Sequence, residues 1–205
     1  MFLARELTKA YHRRNVLEQV SFALPAGHCL GVEGDNGSGK STLLSILAQV
    51  NTPDSGDILY QGRSVLGNKA FLRSHLGYVP QSCDLLPDLT ARQQLKLWQA
   101  ACGCRESLPG DVAEMLRFRE LEQVKIGEMS GGMQRRVNIA LALSTSPEIL
   151  IMDEATAGLD ASFRENLLTW LEDYMKKGGR IVWCSHLAQE SRRLCGTVLT
   201  LGNRT

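Results

Sequence analysis

Residues 34–41 read Gly-Asp-Asn-Gly-Ser-Gly-Lys-Ser, and this stretch decides the fold. It matches the pattern Gly-x-x-x-x-Gly-Lys-Ser/Thr, whose glycines let several backbone N–H groups converge on phosphate oxygens. The segment before it, Cys29–Glu33, predicts a strand, and Ser41–Ala48 continues after it with helical periodicity. A strand, a glycine loop and a helix are the context that a phosphate-binding loop requires. We therefore expect a Mg²⁺-nucleotide to bind at this loop.

Three side chains at the end of the loop have predicted roles in that binding. We expect Lys40 to neutralise charge on the β- and γ-phosphates and Ser41 to bind Mg²⁺. Thr42 should donate a hydrogen bond near the α-phosphate. The N-terminus of the following helix adds the positive end of its dipole to the same site.

A second short string lies about 90 residues further on, where residues 130–136 read Ser-Gly-Gly-Met-Gln-Arg-Arg. It precedes the apolar run Ile149–Met152, and Ile181–Cys184 is a similar run. Near-continuous apolar runs are typical of parallel strands buried on both faces. An acidic side chain at the end of such a strand emerges at the carboxyl edge of the sheet, beside the phosphate site. We therefore predict that Asp153 acts on Mg²⁺ and that Glu154 orients or deprotonates a water molecule.

The remaining pattern predicts an α/β fold with an insertion. The first 30 residues alternate like two antiparallel strands that lead into the strand before the loop. The segment from Cys83 to Lys125 is helical in pattern, with Thr90 and Gln93 as a capping box. We predict one domain over residues 1–205, with a P-loop NTPase core of the RecA-like type, a mixed sheet, at 1–82 and about 129–205. A helical subdomain would occupy about 83–128.

Composition excludes several classes of protein. Net charge is +1 and hydrophobic residues make up 43%, so neither a nucleic-acid partner nor a disordered chain is favoured. The six cysteines have no Cys-x-x-Cys spacing, which favours reduced thiols and a cytoplasmic location over a zinc site or disulfides. No apolar run approaches the roughly 18–20 residues that span a bilayer.

Taken together, the motifs resemble the nucleotide-binding domain of ABC transporters over nearly the whole chain. Their order is that of the family, and in this sequence they are an early aromatic residue (Tyr11), the Walker A loop (Gly34–Ser41), Gln81, the signature (Ser130–Gly132), Walker B (Ile149–Asp153), Glu154, the loop Gly158–Asp160 and His186. Each single residue is weak evidence, whereas their joint placement is specific.

The resemblance implies a complete set of site residues. Tyr11 would stack on adenine, Gln81 would lie near Mg²⁺ and the attacking water, and His186 would contact the γ-phosphate. The predicted catalytic residues are Lys40, Gln81, Glu154 and His186, and the predicted Mg²⁺ ligands are Ser41, Gln81 and Asp153. The residues predicted to bind ATP are Tyr11, Gly34, Asp35, Asn36, Gly37, Ser38, Gly39, Lys40, Ser41, Thr42, Ser130, Gly131, Gly132 and Asp160.

The resemblance also implies partners. Ser130 and Gly132 would act on ATP that is held by the glycine loop of a second ATPase subunit, so two subunits would enclose two ATP molecules head to tail. The second subunit would be another copy of this chain (a homodimer) or a different subunit (a heterodimer). A separate integral membrane permease would dock on a groove bordered by Gln81 and the segment from Cys83 to about Leu97, with Arg92, Lys96 and Trp98 as candidate contacts. The subunit would then lie in the cytoplasm on the inner face of the membrane.

Departures from the family pattern bear on the type of transporter. Met129 and Met133 replace the first and last residues of the common signature Leu-Ser-Gly-Gly-Gln, and Ala155 replaces the usual proline after the catalytic glutamate. A Met at the last position, followed by basic residues, resembles exporters of drugs, peptides, polysaccharides or lipids. None of these changes removes a group that handles protons, metal or phosphate.

Three alternatives stay open at this stage. Haem-exporter ATPases of cytochrome maturation are also single short cassettes. A soluble ABC ATPase acting on ribosomes or DNA usually carries two cassettes or long coiled coils, and this chain has one cassette and no sustained heptads. A different phosphate-loop enzyme, such as a kinase, would leave Ser130–Gly132, Gln81 and His186 without a role.

Overall fold

The computed structural model of the chain describes residues 1–12, 14–103 and 107–202. Strands within these ranges form two sheets, one antiparallel in the order β2-β1-β4-β5 and one parallel in the order β6-β7-β8-β3-β9. In chain order the strands are β1 (Phe2–Tyr11), β2 (Arg14–Leu24), β3 (Cys29–Glu33), β4 (Ser55–Tyr60), β5 (Arg63–Ser64), β6 (Leu76–Val79), β7 (Ile149–Asp153), β8 (Arg180–Cys184) and β9 (Thr197–Thr200).

The helices cover both faces of the parallel sheet. They are α1 (Lys40–Leu47), α2 (Lys69–His75), α3 (Ala91–Cys102), α4 (Gly110–Met115), α5 (Gly131–Leu143), α6 (Ala161–Lys176) and α7 (Ala188–Leu194), with 3₁₀ turns at Phe118–Glu120 and Ile126–Glu128. The α/β fold with a strand, glycine loop and helix at its nucleotide end is confirmed. Among the described helices, none has the length and apolar character needed to cross a bilayer.

The parallel sheet separates two apolar cores because successive side chains of a strand point to opposite faces. In β7, Leu150 and Met152 pack into the core beneath α5 and α6, while Ile149 and Ile151 pack into the core beneath α1. The central strands are buried along their whole length, as their uninterrupted apolar sequences predict. The antiparallel sheet closes the α1 core from outside, with Phe2 and Ile58 fully buried there.

Local sequence signals account for most element boundaries. Thr90 accepts a hydrogen bond from the Gln93 backbone, and the Gln93 side chain accepts one from the Thr90 backbone, so the predicted capping box is present. Gly178 follows α6 in a left-handed conformation (φ 95°), as the helix-stop signal predicts. Helix α2 was not predicted from the sequence. Asn68 caps it by accepting a hydrogen bond from the Phe71 backbone at 3.0 Å.

Residues 83–128 carry α3, α4 and both 3₁₀ turns. Backbone hydrogen bonds from Ala91 to Val124 (3.2 Å) and from Ile126 to Leu89 (2.9 Å) tie the start of α3 to the end of this segment. The segment therefore leaves the core and returns to it at neighbouring points. Its description as a separate helical subdomain, with the boundaries given above, stays a prediction.

A glycine controls how closely α5 approaches the parallel sheet. A Cβ atom added to Gly77 in β6 would lie 2.6 Å from the Ala142 carbonyl oxygen and 2.9 Å from side-chain atoms of Leu150 and Pro147. Because a backbone oxygen and a packed strand cannot move aside freely, only glycine fits here. The contact sets the distance between α5 and the loop that follows β6.

We expect Gly77→Ala to destabilise the fold by about 1–3 kcal/mol, the usual range for overpacking. The control is Gly110→Ala, because Gly110 is exposed and a Cβ atom there meets nothing within 4 Å. Urea denaturation followed by circular dichroism measures both. Equal stability of the two variants would show that α5 can shift away without loss.

Candidate active site

The carboxyl ends of four parallel strands meet at one edge of the sheet. In the spatial order β6-β7-β8-β3, these ends lead into Gln81, the pair Asp153-Glu154, His186 and the glycine loop. The register aligns them, since Val79 pairs with Met152, and Asp153 pairs with Cys184. Parallel pairing thus brings together residues that lie far apart in the chain.

These residues line one pocket of about 390 Å³. Ten of the predicted site residues line it, namely Asn36, Gly37, Gly39, Lys40, Ser41, Thr42, Gln81, Asp153, Glu154 and His186, together with Val16 and Cys184. The pocket therefore collects all the predicted catalytic and metal-binding side chains. A neighbouring cavity of about 470 Å³ continues from Ser41, Thr42, Gln81 and Asp153.

The glycine loop has the backbone that its sequence requires. Gly34, Gly37 and Gly39 have φ angles of 148°, 81° and 98°, which L-residues rarely adopt. A Cβ atom on Gly39 would also lie 2.8 Å from the Val16 carbonyl oxygen. Helix α1 begins directly after Gly39, and no side chain among the described residues caps it, so its first N–H groups are available to an anion.

Lys40 bends back over the glycine loop. Its Nζ donates to the carbonyl oxygens of Gly34 at 2.7 Å and Asp35 at 2.9 Å. These bonds place a positive charge at the mouth of the loop, in the pocket. A triphosphate oxygen would find this ammonium group and the α1 N-terminus on the same side.

Glu154 and His186 face each other across the pocket, with His186 Nε2 at 3.5 Å from Glu154 Oε1. Glu154 is only 8% exposed, and its Oε1 has no hydrogen-bond donor in the described part of the chain. Burial raises the pKa of Glu154, helped by the Asp153 and Glu190 carboxylates and opposed by the His186 backbone and ring. A carboxyl group with a raised pKa that lines a pocket is suited to accept a proton from water.

The oxygen donors of the pocket fit Mg²⁺. The Ser41 hydroxyl, the Gln81 amide and the Asp153 carboxylate all line it. Mg²⁺ prefers oxygen ligands and usually takes only one or two protein carboxylates beside phosphate oxygens. The described residues contain no group of three or more His, Cys, Asp or Glu side chains placed to hold a metal ion alone. The three oxygen donors leave coordination positions for phosphate oxygens and water.

Other predicted site residues lie outside this pocket. Tyr11 ends β1 and is 41% exposed, with Lys9 Nζ 5.5 Å from its ring centroid. Gly34, Asp35 and Ser38 belong to the glycine loop but do not line the pocket, and the Ser38 hydroxyl is buried beneath it without a partner in the described structure. Their roles in binding stay predictions.

The signature residues also lie apart from the pocket. Ser130 and Gly131 are exposed, and the Ser130 hydroxyl caps α5 by accepting a hydrogen bond from the Met133 backbone at 3.3 Å. A Cβ atom on Gly132 would lie 2.6 Å from the Gly158 carbonyl oxygen, so the signature packs against the loop at Gly158–Asp160. Asp160 caps α6 by accepting a hydrogen bond from Phe163 at 2.9 Å. None of these residues meets the nucleotide loop of its own chain in the pocket.

Sequence reasoning missed a buried hydrogen-bond network that connects the segments of Glu154 and His186. The Glu190 carboxylate accepts hydrogen bonds from Thr156 Oγ1 at 2.8 Å and from Ser185 Oγ at 2.7 Å. Thr156 follows Glu154 by two residues and Ser185 directly precedes His186, so one carboxylate connects both segments. Glu190 lies on a short helix with a charged sequence, and nothing in that local pattern indicates that it is 4% exposed.

Known proteins resemble this chain over most of its length. The ABC transporter family model matches residues 17–157. The chain is 33% identical to the linearmycin resistance ATP-binding protein LnrL of Bacillus subtilis, in an alignment covering 100% of this chain and 70% of LnrL. The chain belongs to the ABC transporter family. Nod factor export ATP-binding protein I of Paraburkholderia xenovorans is 34% identical over 93% of the chain and 64% of its own length. The chain thus spans about two thirds of the length of these ABC relatives.

Solved structures agree with this placement. An ATP-binding subunit of an ABC transporter superimposes with a TM-score of 0.87, at 27% identity, over 98% of this chain and 85% of the other. A dimeric post-hydrolysis state of an ATP-binding cassette, bound to ADP and Pi, has a TM-score of 0.85 at 25% identity over 98% and 94%. The sequence-based assignment to the ABC ATPase domains is confirmed.

The raised pKa of Glu154 predicts a pH-dependent stability difference. A carboxyl group whose pKa is raised in the folded state contributes its full stability below its unfolded-state pKa of about 4.3. This contribution is lost as the pH rises through the folded-state pKa. We therefore expect nucleotide-free Glu154→Gln to melt at a higher temperature than the wild type at about pH 8, and the difference to vanish at about pH 3.5.

Glu172→Gln is the control with the opposite sign. A hydrogen bond from Arg193 lowers the pKa of Glu172, so its loss should lower the melting temperature at about pH 8 and have little effect in acid. Thermal scans at several pH values measure both variants. If Glu154→Gln melts at a lower temperature than the wild type at about pH 8, the ionised Glu154 carboxylate does not destabilise the fold.

Proposed function

We propose that this chain hydrolyses ATP within a head-to-tail dimer and drives a separate membrane permease that exports its cargo. The observation that carries the proposal is the single pocket in which Lys40, Gln81, Asp153, Glu154 and His186 converge. Its donors and charges suit a triphosphate with Mg²⁺, and its buried carboxylate suits an attacking water.

The chemistry follows from the placement of the charged groups. Lys40 and the N-terminus of α1 offset the negative charge of the phosphates, including the charge that develops on the departing oxygen as the terminal bond breaks. The Glu154 carboxylate accepts the proton of the attacking water, while His186, whose Nε2 lies 3.5 Å from Glu154 Oε1, offers a donor to the γ-phosphate. Ser41, Gln81 and Asp153 would hold Mg²⁺, which would neutralise further phosphate charge.

The exposed signature supports the dimer. Ser130, Gly131 and the start of α5 present backbone N–H groups and a positive helix end, yet the pocket of the same chain does not reach them. A second copy, turned head to tail, would place this helix end opposite the glycine loop. Loss of the γ-phosphate would then remove the ligand shared by both copies and let them separate.

A groove beside the pocket supports the permease as partner. Its volume is about 750 Å³, and it is lined by Ala48, Gln49, Val50, Leu72, Arg73, Leu76, Gly77, Tyr78, Pro80, Ser82, Asp84, Leu85, Gln94, Trp98, Ala101, Cys102, Asn138, Leu141, Ala142 and Thr145. Val50 and Trp98 are 68% and 41% exposed, which leaves apolar surface for a partner helix. Of the three predicted contacts, Trp98 lines the groove, whereas Arg92 and Lys96 are exposed on α3 outside it.

Relatives favour export as the direction of transport. LnrL carries the name of a linearmycin resistance protein, and the Paraburkholderia xenovorans relative that of a Nod factor export protein. Both names agree with the Met133 signature. We propose on this basis that the permease moves its cargo outward, from a cytoplasmic side on which the ATPase subunit would lie.

Glu154→Gln tests hydrolysis and dimer formation together. We expect hydrolysis to fall by about 10²–10⁴-fold because the proton acceptor is lost, while ATP binding persists. With Mg-ATP the variant should elute from gel filtration at twice the monomer mass of 22.6 kDa. The control Glu154→Gln/Lys40→Met lacks the phosphate-binding ammonium and should stay monomeric. A variant that binds ATP and remains monomeric would refute the shared-nucleotide dimer.

Trp98→Asp tests the groove. We expect the variant to retain less of the membrane protein that co-purifies with the wild type from detergent extract, because a charge then meets an apolar helix. The basal ATPase rate of the isolated subunit should stay unchanged. Arg92→Asp, on the same helix but outside the groove, should retain the membrane protein fully. Equal retention by both variants would place the permease elsewhere, and retention of ribosomes instead would favour the soluble ABC ATPases.

A further inference from the structure

One face of α5 holds the backbone of the Gln81 segment at three successive carbonyl groups. Arg135 donates from Nη1 to the Pro80 oxygen at 2.6 Å and from Nη2 to the Gln81 oxygen at 2.5 Å. Asn138, one turn further along the helix, donates to the Ser82 oxygen at 3.3 Å. Side chains three residues apart lie on the same face of a helix, so these contacts act as one attachment.

The attachment contains a buried cation without an acidic partner. Arg135 is 6% exposed, it forms no ion pair with any described residue, and its Nε has no hydrogen-bond acceptor among them. A buried guanidinium that is held by carbonyl groups alone is a costly way to fill space, and an apolar side chain of similar size would pack as well. Unlike an apolar side chain, the guanidinium fixes the positions of two consecutive carbonyl groups through directional hydrogen bonds.

The position of Arg135 connects two parts of the site that are otherwise separate. Five residues before it, Ser130 caps the exposed helix end that carries the signature. At the other end of its side chain is the backbone of Gln81, a residue that lines the pocket of the same chain. A helix moves as a rigid unit over this length, so a displacement of its N-terminus reaches the Gln81 segment through Arg135.

We propose that Arg135 is a positioning residue that holds Gln81 in the pocket and couples its placement to the signature helix. This inference rests on the proposed ATPase function for its catalytic consequence, although not for the contact itself. When the signature end of α5 binds a nucleotide held by the second subunit, Arg135 sets the Gln81 segment of its own chain at the productive distance from the nucleotide in its own pocket. Because Pro80 and Ser82 also line the permease groove, the same contact links the nucleotide to that surface.

Arg136 provides a matched control on the same helix. It is also 6% exposed, and it also donates to backbone carbonyl groups, at Leu116 (2.7 Å) and Arg117 (2.9 Å). Unlike Arg135 it has an acidic partner, Glu120 at 3.4 Å, and its guanidinium lies 4.0 Å from the ring centroid of Phe163. None of these contacts involves the Gln81 segment. Loss of either guanidinium removes a buried cation and two or more hydrogen bonds to backbone carbonyl groups, but only the loss of Arg135 releases the carbonyl groups of Pro80 and Gln81.

The first experiment measures the contact without using activity. Amide hydrogen exchange of a peptide covering residues 79–84 is followed by mass spectrometry in the wild type, Arg135→Met and Arg136→Met, all free of nucleotide. We expect exchange in this peptide to become faster in Arg135→Met and to match the wild type in Arg136→Met. If the Met variant does not fold, Arg135→Lys answers the same question, since a single ammonium cannot reproduce the two-pronged contact. Unchanged exchange in the Arg135 variant overturns the proposal.

The second experiment is a double-mutant cycle with Gln81→Ala. We expect Arg135→Met to lower kcat by about 10–100-fold with KM for ATP unchanged, as misplacement of a catalytic group does. The double variant Arg135→Met/Gln81→Ala should be no slower than Gln81→Ala alone, because Arg135 acts through Gln81. Independent, additive losses overturn the positioning role, since a merely structural defect would produce them.

The two experiments separate this proposal from the proposed function. A wild-type chain that binds ATP but does not hydrolyse it, alone or with its permease, would contradict the ATPase function, whereas the exchange result would still decide whether Arg135 holds the segment. A chain that hydrolyses ATP and shows additive losses in the cycle would leave the ATPase function intact and refute the coupling through Arg135.

Discussion

The alignment of parallel strands at one edge of the sheet is the constraint on which the site depends. Gln81, Asp153 and His186 follow three strands that are adjacent in space, and the glycine loop follows the next strand along. Parallel hydrogen bonding fixes the relative heights of these strand ends, and complete burial of β7 and β8 prevents a slip in register, since a shift by one residue would turn apolar side chains to the wrong core. Strand pairing thus brings together side chains that are separated by more than 100 residues in the sequence, and their positions do not depend on flexible loops.

Charge in the pocket is arranged for a triphosphate and is unfavourable without one. The Glu154 and Asp153 carboxylates lie at the same strand end, and Glu190 adds a third carboxylate nearby, so burial and repulsion together raise the pKa of Glu154. Lys40 is held against the loop carbonyl groups, and its charge is directed to the phosphate side of the pocket. Binding of a phosphate with its metal ion would satisfy both halves of this arrangement. A stable fold carries this local strain because two extensive cores flank the sheet.

Helix α5 unites the functions that the motifs describe separately. Gly77 admits it closely to the sheet, its exposed N-terminus carries the signature, and Arg135 and Asn138 hold the segment after β6. The helix is buried from Arg135 to Leu143, so it has little freedom to move independently of its contacts. A single rigid helix thus joins the exposed signature to the backbone of the Gln81 segment, which borders both the pocket and the neighbouring groove.

The sequence by itself determined the fold family, the glycine loop and most of the pocket. Short-range sequence patterns predict the placement of four of these residues because it depends on local backbone geometry and on the preceding strand. They are Gly34, Lys40, Asp153 and Glu154. Helix α2 was missed because its capping residue, Asn68, lies in a polar stretch without strong periodicity. Only the tertiary structure decided the buried contacts of Arg135 and Glu190. These depend on which carbonyl groups, hydroxyl groups and strand ends lie next to each other in space, and long-range packing decides that, because no local pattern distinguishes a buried Arg or Glu from an exposed one.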